Sequence, residues 1–245
     1  MSESQAVAII GAAGGIGREL AQRLAEQGRP LLLMGRNGPA LDDLASSLPT
    51  LTTVAAVDAL DRAALQGVVT DYAAQQALGG FVNLAGSIYL KPAQRTTPAD
   101  FQDILNANLV TAFNCVAVSQ ATMRKGSVVL MSSVAAQVGL LNHEAIAAAK
   151  AGVEGLMRAA AASGARKGLR CNAVAPALVD TPMAAGLLAS DAARQASNRM
   201  HPLGRVGRPE EIAQLICWLL DAQAEWITGQ VFAADGGLGG LRLPS

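Results

Sequence analysis

Charge is sparse in this chain: only 16% of residues are Asp, Glu, Lys or Arg, and nineteen basic side chains balance nineteen acidic ones. A neutral balance excludes the electrostatic footprint that nucleic acid or an anionic membrane surface would demand, and leaves a small molecule or another subunit as partner. Aromatic residues are also scarce, at 3%, which argues against stacking of a large flat ligand. Cysteine is limited to Cys115, Cys171 and Cys217. An odd, widely spaced set with neither CxxC nor His-flanked spacing points away from disulfides and zinc, towards small core residues in a reducing compartment. Long apolar runs are missing too, because charge or glycine interrupts every few residues and no stretch reaches the ~20 residues that span a bilayer. The opening residues Ser2, Glu3, Ser4 and Gln5 lack the basic-then-apolar pattern of a secretion signal. The expectation is a soluble, cytoplasmic protein without membrane or nucleic-acid partners.

What is present is aliphatic: 51% of residues are hydrophobic, ample apolar surface to offset the chain entropy lost on folding. Short apolar runs at Ala6–Ile10, Leu31–Met34, Val54–Val57, Phe81–Leu84, Val128–Met131, Arg170–Val174 and Gln230–Ala233 read as strands, with helical stretches between most of them. Strands that are apolar throughout need cover on both faces, so the pattern predicts an α/β fold with one doubly wound, Rossmann-type parallel sheet and helices on both faces. No linker or repeat divides residues 1–245, which are read as one dinucleotide-binding domain. Thr97, Pro98 and Asp100 mark a helix start that should run to about Met123. A second, alanine-rich helix is expected over about Asn142–Ala165. Residues 177–207 lose strand periodicity and are read as a substrate lid, or alternatively as a surface excursion with short helices.

The first strand is followed at once by Gly11, Gly14, Gly15, Ile16 and Gly17, in the spacing GxxxGxG, and then by an amphipathic helix. Glycines let backbone approach a pyrophosphate, and a helix N-terminus aims amides and partial positive charge at it. At the end of the second strand an acidic residue would bond the ribose hydroxyls of NAD. Gly35 and Arg36 stand there instead, and a guanidinium pairs with the 2′-phosphate of NADP, so NADP is favoured with NAD possible. Asp58, closing the third strand, either touches the adenine or caps the helix at Asp61.

From here the chain resembles the short-chain dehydrogenase/reductase family. Asn83, Ala85 and Gly86 lie in a segment similar to that family's NNAG turn, Asn106-Ala107-Asn108-Leu109 resembles its asparagine helix, and Met131-Ser132-Ser133 the end of its fifth strand. Asn172 to Ala177, Asp180 to Met183, Pro209 to Ala213 and Thr228 to Gln230 continue the match in order along nearly the whole chain. The resemblance implies catalytic roles for Asn108, Ser133 and Lys150, a cofactor site over residues 11–17 with Arg36, Asp58, Asn83, Ala85, Gly86, Lys150, Pro176 and Thr181, and a dimer or tetramer built on the two long helices. It also implies a tyrosine thirteen residues after Ser133 and four before Lys150. Both counts arrive at residue 146, which is isoleucine.

Hydride transfer to a carbonyl builds charge on oxygen that a proton donor must neutralise, and losing a general acid costs about 10²–10⁴ in rate. His143 shares a helical face with Ala147 and Lys150 and is the candidate substitute, or else an idle first-turn residue. Tyr89, in the loop after Gly86, is a second candidate. No GxSxG elbow surrounds Ser133, so hydrolase chemistry is not supported. Two functions remain open: an NADP-dependent oxidoreductase on a carbonyl or alcohol with a non-standard proton donor, and a catalytically silent NADP(H)-binding sensor or subunit.

Overall fold

The alternation of aliphatic runs and helical stretches folds, in the computed structural model, into a seven-stranded sheet of order β3-β2-β1-β4-β5-β6-β7. Every pairing is parallel. The structure describes residues 5–242, so the reading of Ser2 to Ser4 lies outside the described residues. The strands are β1 (Ala6–Ile10), β2 (Leu31–Gly35), β3 (Thr52–Ala56), β4 (Leu78–Asn83), β5 (Gly126–Met131), β6 (Leu169–Pro176) and β7 (Val231–Ala234). The helices are α1 (Gly15–Glu26), α2 (Gly38–Ser46), α3 (Arg62–Gln75), α4 (Pro98–Leu105), α5 (Thr111–Thr122), α6 (Glu144–Gly164), α7 (Asp191–Met200) and α8 (Pro209–Leu220).

Strand periodicity explains why the runs are apolar throughout. Successive side chains of a strand face opposite ways. In β1, Ala6, Ala8 and Ile10 enter one core with α3, α5 and α6, while Val7 and Ile9 enter a second core with α1, α2 and α8. Leu32 and Met34 of β2 join the first, Leu31 and Leu33 the second. Both faces are therefore covered, as expected of a doubly wound sheet.

Three local expectations change. The helix predicted from Thr97 does start there, with a capping box in which Thr97 and Asp100 bond each other's backbone amides. It is not uniform, because Asn106–Val110 forms a π turn between α4 and α5. The combined run Pro98–Thr122 is 25 residues and contains an 18-residue window with a mean hydropathy of 1.2, long and apolar enough by length and composition to cross a membrane. The sequence reading overlooked it because, beyond Asp103, Asn, Thr, Ser and Gln interrupt the apolar residues where charge or glycine was expected. Half of that window is buried inside the protein, and Cys115, Val116 and Val118 of α5 lie in the first core.

The second long helix begins at Glu144 and not at Asn142, since Asn142 takes the left-handed conformation with φ 62°. Residues 177–207 carry two short helical stretches, as the alternative reading of that segment had it. A 3₁₀ stretch at Pro182–Leu188 precedes α7, whose N-cap Ser190 accepts a hydrogen bond from Ala193 N–H. The segment is pinned at its base by a parallel bridge between Val179 and Gly207, with Asp180 N–H donating to Gly207 O and Gly207 N–H to Leu178 O, each at 2.9 Å, and further along by Leu203 N–H donating to Gly236 O and by the Arg205–Glu211 ion pair. Cys115 and Cys171 are buried and Cys217 is partly buried.

Gly126, at the start of β5, has φ 137°, and a Cβ there would lie 2.4 Å from Gly79 O and 2.8 Å from Met123 Cε. Gly67 lies within α3 with nothing within 4 Å of its missing Cβ. Urea unfolding should therefore show Gly126→Ala losing about 2–4 kcal/mol through backbone strain and overpacking, and Gly67→Ala gaining up to about 1 kcal/mol from helix propensity.

Candidate active site

The C-terminal ends of β1, β4, β5 and β6 open onto a cavity of about 440 Å³. Crevices at this edge of a parallel sheet, where the strand order reverses, are where such folds bind ligands. Gly11, Gly14, Gly15, Ile16 and Gly17 form one wall, Ala85, Gly86 and Asn108 another, and Ser133, His143, Ile146, Lys150, Pro176 and Thr181 complete it.

The glycine wall has a steric cause. Gly11 sits at φ 78°, and a Cβ there would meet Ala85 N at 3.0 Å; a Cβ on Gly17 would lie 2.5 Å from both Gly11 O and Ala12 O. Side chains are excluded because the loop is folded tightly on itself and on the turn after β4. Helix α1 begins at this loop with no side-chain cap on Gly14 and no acidic residue in its first turn. By contrast Asn37, Asp61, Thr97 and Ser190 cap α2, α3, α4 and α7 with their own side chains. The first amides of α1 are left for an anionic ligand.

Asn108 owes its position to the π turn. Its Nδ2 donates to Ile104 O at 3.0 Å, taking the acceptor that its own amide would use in a regular helix. Buried there, it also donates to Ser87 Oγ at 3.2 Å, and its Oδ1 accepts from Ser87 N–H at 3.3 Å. Gly86 must lack a side chain, as a Cβ would stand 2.9 Å from Asn108 Oδ1.

Lys150 is buried, and its Nζ donates to Met131 O at 2.9 Å. Burial without a carboxylate partner lowers its pKa from 10.5 to about 8. Two of its three N–H groups remain for a ligand. Ser133 Oγ accepts from Ala135 N–H at 3.2 Å and makes a long bond, 3.4 Å, to Pro176 O. His143 precedes α6, and its Nδ1 lies 2.7 Å from Leu141 O, so Nδ1 carries the hydrogen and Nε2 is left for other partners. Ile146, 6% exposed, reaches the cavity wall while packing on Ile104, Ala145 and Ala149.

Three expected cofactor residues lie outside the cavity wall. Arg36 and Asp58 are exposed at the ends of β2 and β3. Asp58 does not cap α3, since Asp61 performs that task through Ala64 N–H, and Asp58 Oδ1 accepts from Leu60 N–H. Asn83 is buried and shapes the turn after β4, accepting from Ala85 N–H at 3.1 Å and donating to Thr111 Oγ1 at 3.4 Å. Tyr89 is not a cavity residue. Ile88 and Leu90 line the cavity, whereas Tyr89 packs against the cluster of Ile104, Ala145, Ile146 and Ala149 with Lys91 Nζ 5.7 Å from its ring centroid.

Sequence reasoning missed Arg18, whose Nε donates to Ala13 O at 3.1 Å and whose Nη2 donates to Ala40 O at 3.3 Å, placing a guanidinium beside the glycine loop. Its position directly after Gly17 was the available signal. A buried relay was also missed: Ser132 Oγ donates to Glu154 Oε1 at 2.8 Å, and Gln137 Nε2 to the same oxygen at 3.0 Å. It braces β5 against α6 beside Lys150, and only the fold brings its members together.

A parallel sheet with an uncapped glycine-rich helix start, and a buried lysine beside a serine and an asparagine, defines a nucleotide-dependent oxidoreductase architecture. The family model described as enoyl-(acyl carrier protein) reductase matches residues 11–239. The chain belongs to the short-chain dehydrogenase/reductase family of oxidoreductases. It is 33% identical over 243 residues to 3-oxoacyl-(acyl-carrier-protein) reductase of Thermotoga maritima, covering 96% of this chain and 98% of that protein. It is 34% identical over 243 residues to cis-4-hydroxycyclohexanecarboxylate dehydrogenase of Sinomonas cyclohexanicum, covering 96% of each. Carbonyl reductase family member 4 of Danio rerio is 34% identical over 239 residues, covering 96% of this chain and 98% of that one. Ligand-free aldohexose dehydrogenase of Thermoplasma acidophilum superposes with a TM-score of 0.86 at 26% identity over 98% of both chains.

The depressed pKa of Lys150 has a signed consequence for stability. Between pH 8 and 10.5 the unfolded chain holds a proton on Lys150 that the folded chain has released, so burial costs stability below pH 8 and the cost fades as pH rises to 10.5. Lys150→Met should be more stable than the parent at pH 7, by up to roughly 3 kcal/mol less the lost bond to Met131 O. Chemical denaturation across pH 7 to 10.5 should show that advantage shrinking.

Proposed function

We propose that the protein is an NADP(H)-dependent oxidoreductase that interconverts a carbonyl and an alcohol, with the proton supplied by a group other than the tyrosine of the family pattern. The observation that carries this reading is the convergence, in one cavity, of an uncapped glycine-rich helix start with Lys150, Ser133 and Asn108. The relatives named above, an oxoacyl reductase, a hydroxy-acid dehydrogenase and a carbonyl reductase, support the same substrate class. A nicotinamide dinucleotide bound here supplies or accepts the hydride.

The residues fit such a group. The loop from Gly11 to Gly17 is bare of side chains where a pyrophosphate would rest, and Thr181 Cγ2 would lie only 2.9 Å from a Cβ on Gly15, so the lid base meets the loop directly. Arg36 and Arg18 offer guanidinium groups beyond the loop for a ribose phosphate. Lys150, with two N–H groups not used by Met131 O, would hold ribose hydroxyls. Ser133 Oγ bonds the substrate oxygen, its only other donor contact being the long one to Pro176 O. Asn108 fixes Ser87 and the turn at Gly86.

Two groups on this wall can hold the transferred proton. Lys150 Nζ, with its pKa at about 8, is protonated at neutral pH and close enough to it for facile exchange. His143 Nε2 is the second, donating when the ring is doubly protonated. A second function is favoured by Ile146 itself, which can neither donate nor accept: a nucleotide-binding protein without turnover. Turnover at around 10 s⁻¹ with any carbonyl would exclude it. Self-association through α5 and α6 belongs to the proposal, since Phe101 and Phe113 are 40% and 50% exposed beside that surface.

Calorimetric titration should find NADPH bound more tightly than NADH, and Arg36→Ala should weaken NADPH by about tenfold to a hundredfold while hardly changing NADH. Equal loss for both nucleotides would remove the case for NADP. In a carbonyl panel with NADPH, Ile146→Tyr should raise kcat by about 10² or more, because it restores a donor to the cavity wall. Unchanged kcat would show that the parent already has a competent acid.

A further inference from the structure

The charged side chains of the loops that close the site cavity are committed elsewhere. Lys91, in the loop after β4, pairs with Asp100 at 3.1 Å. On the segment from Val179 to Gly207, Asp180 pairs with Arg194 at 2.7 Å, and Arg205 pairs with Glu211 of α8. The loop from Val134 to Asn142 has no acidic or basic residue at all. Among the described residues that line the cavity there is no aspartate, glutamate or arginine, and Lys150 is the single ammonium. Its Nζ donates to Met131 O and, in the function proposed above, serves the ribose.

The same three segments give the cavity hydrocarbon instead. Ile88 and Leu90 line it from the loop after β4, Leu140 from the loop after β5, and Leu187 and Met200 from the outer segment, while Ile146 adds a branched aliphatic side chain to the wall that carries Lys150. Ile88, Leu90 and Met200 keep 40%, 38% and 50% of their surface exposed, so they hold apolar area that a ligand can still cover. Single apolar side chains on a surface need no explanation, but six of them from separate segments around one concave site mark a place where apolar matter binds.

We propose that the substrate is a carbonyl compound bearing an uncharged hydrocarbon arm of several carbons, which lies against Ile88, Leu90, Leu140, Ile146, Leu187 and Met200. The inference rests on the oxidoreductase reading of the cavity and deepens it by naming the substrate class. The occupant is the substrate itself, because these side chains share one cavity of about 440 Å³ with Ser133 and Lys150. A carboxylate or phosphate on the arm would shed its water and meet no guanidinium or second ammonium in exchange. A hydrocarbon arm and these side chains lose water together, which favours binding by about threefold for each methylene covered.

Methionine supplies the reporter, since Met200 lines the cavity whereas Met157 is wholly buried in the first core. Full-length protein carrying carbon-13 in its methionine methyl groups is titrated with methyl ketones from 2-butanone to 2-octanone, with and without NADP⁺, which cannot reduce them. Met200→Leu and Met157→Leu identify the two resonances. The expected result is a Met200 signal that moves while that of Met157 stays, and an affinity that rises about threefold per methylene. 7-Oxooctanoate, with the chain length of 2-octanone and a terminal carboxylate, should bind about tenfold more weakly or worse. Ile88→Asn and Leu187→Asn should each flatten the rise. A flat series, 7-oxooctanoate bound as tightly as 2-octanone, or a Met200 signal that never moves would overturn the proposal. The parent protein's signals decide the matter even if a variant fails to fold. Affinity rising with chain length but no oxidation of NADPH by any of these ketones would retain the apolar subsite and defeat the oxidoreductase reading. Oxidation of NADPH by 2-butanone or 7-oxooctanoate with no dependence on chain length would do the reverse.

Discussion

At Gly17 the backbone of the first helical turn passes so close to Gly11 O and Ala12 O that a single methyl group would stand 2.5 Å from each. That close approach folds the loop tightly onto the start of α1 and leaves its first amides without a side-chain cap. A partial positive charge at a helix start is common to all helices. Here it borders a cavity and has no internal partner, and the same crowding ties the loop to the turn after β4 through Gly11 and Ala85. The inner wall of the cavity therefore inherits its shape from backbone contacts that tolerate no side chain, with Ser133 after β5, Lys150 on α6 and Asn108 in the π turn facing it.

Lys150 shows what this scaffold asks of its electrostatics. An ammonium group buried among β5, α6 and the turn at Gly86 has a carbonyl, Met131 O, as its protein partner and no carboxylate beside it. Such a placement costs folding stability at neutral pH, and uncompensated buried charge of this kind is characteristic of functional sites. Glu154, the nearest buried acid along α6, is committed to Ser132 and Gln137. It stabilises the junction of β5 and α6 without neutralising Lys150. With Ile146 offering no polar atom, Lys150, its pKa lowered to about 8 by burial, is the ionisable group on this part of the wall that the protein leaves without a charged partner.

Much of this was legible in the residues. Two-sided burial of strands such as Ile9–Ile10 and Leu31–Leu33 follows from their unbroken aliphatic character, and the glycine spacing after β1 placed the loop correctly. The π turn was not legible, because the bonds that accompany it, Asn108 Nδ2 to Ile104 O and to Ser87 Oγ, join residues from two segments. Tyr89 was read as a cavity candidate from its place in the chain, whereas its packing on Ile104, Ala145, Ile146 and Ala149 depends on how α4 and α6 meet. Asn83 was assigned to the ligand when its carboxamide is spent on Ala85 N–H and Thr111.

The division of labour that results has a physical logic. In the proposed function the groups that handle charge, Ser133, Lys150 and Asn108, follow β5 or lie on α6 and in the π turn, elements fixed by two hydrophobic cores. The segment from Val179 to Gly207 is anchored separately, by the parallel bridge at its base, by Leu203 N–H donating to Gly236 O and by the ion pair of Arg205 with Glu211 of α8. Its buried Ala184, Leu188 and Val206 form a small core of their own with Leu178, outside the two that cover the sheet. The cavity therefore lies between two independently packed bodies, so a substitution in the small core should disturb its outer wall and leave the sheet-end groups in place.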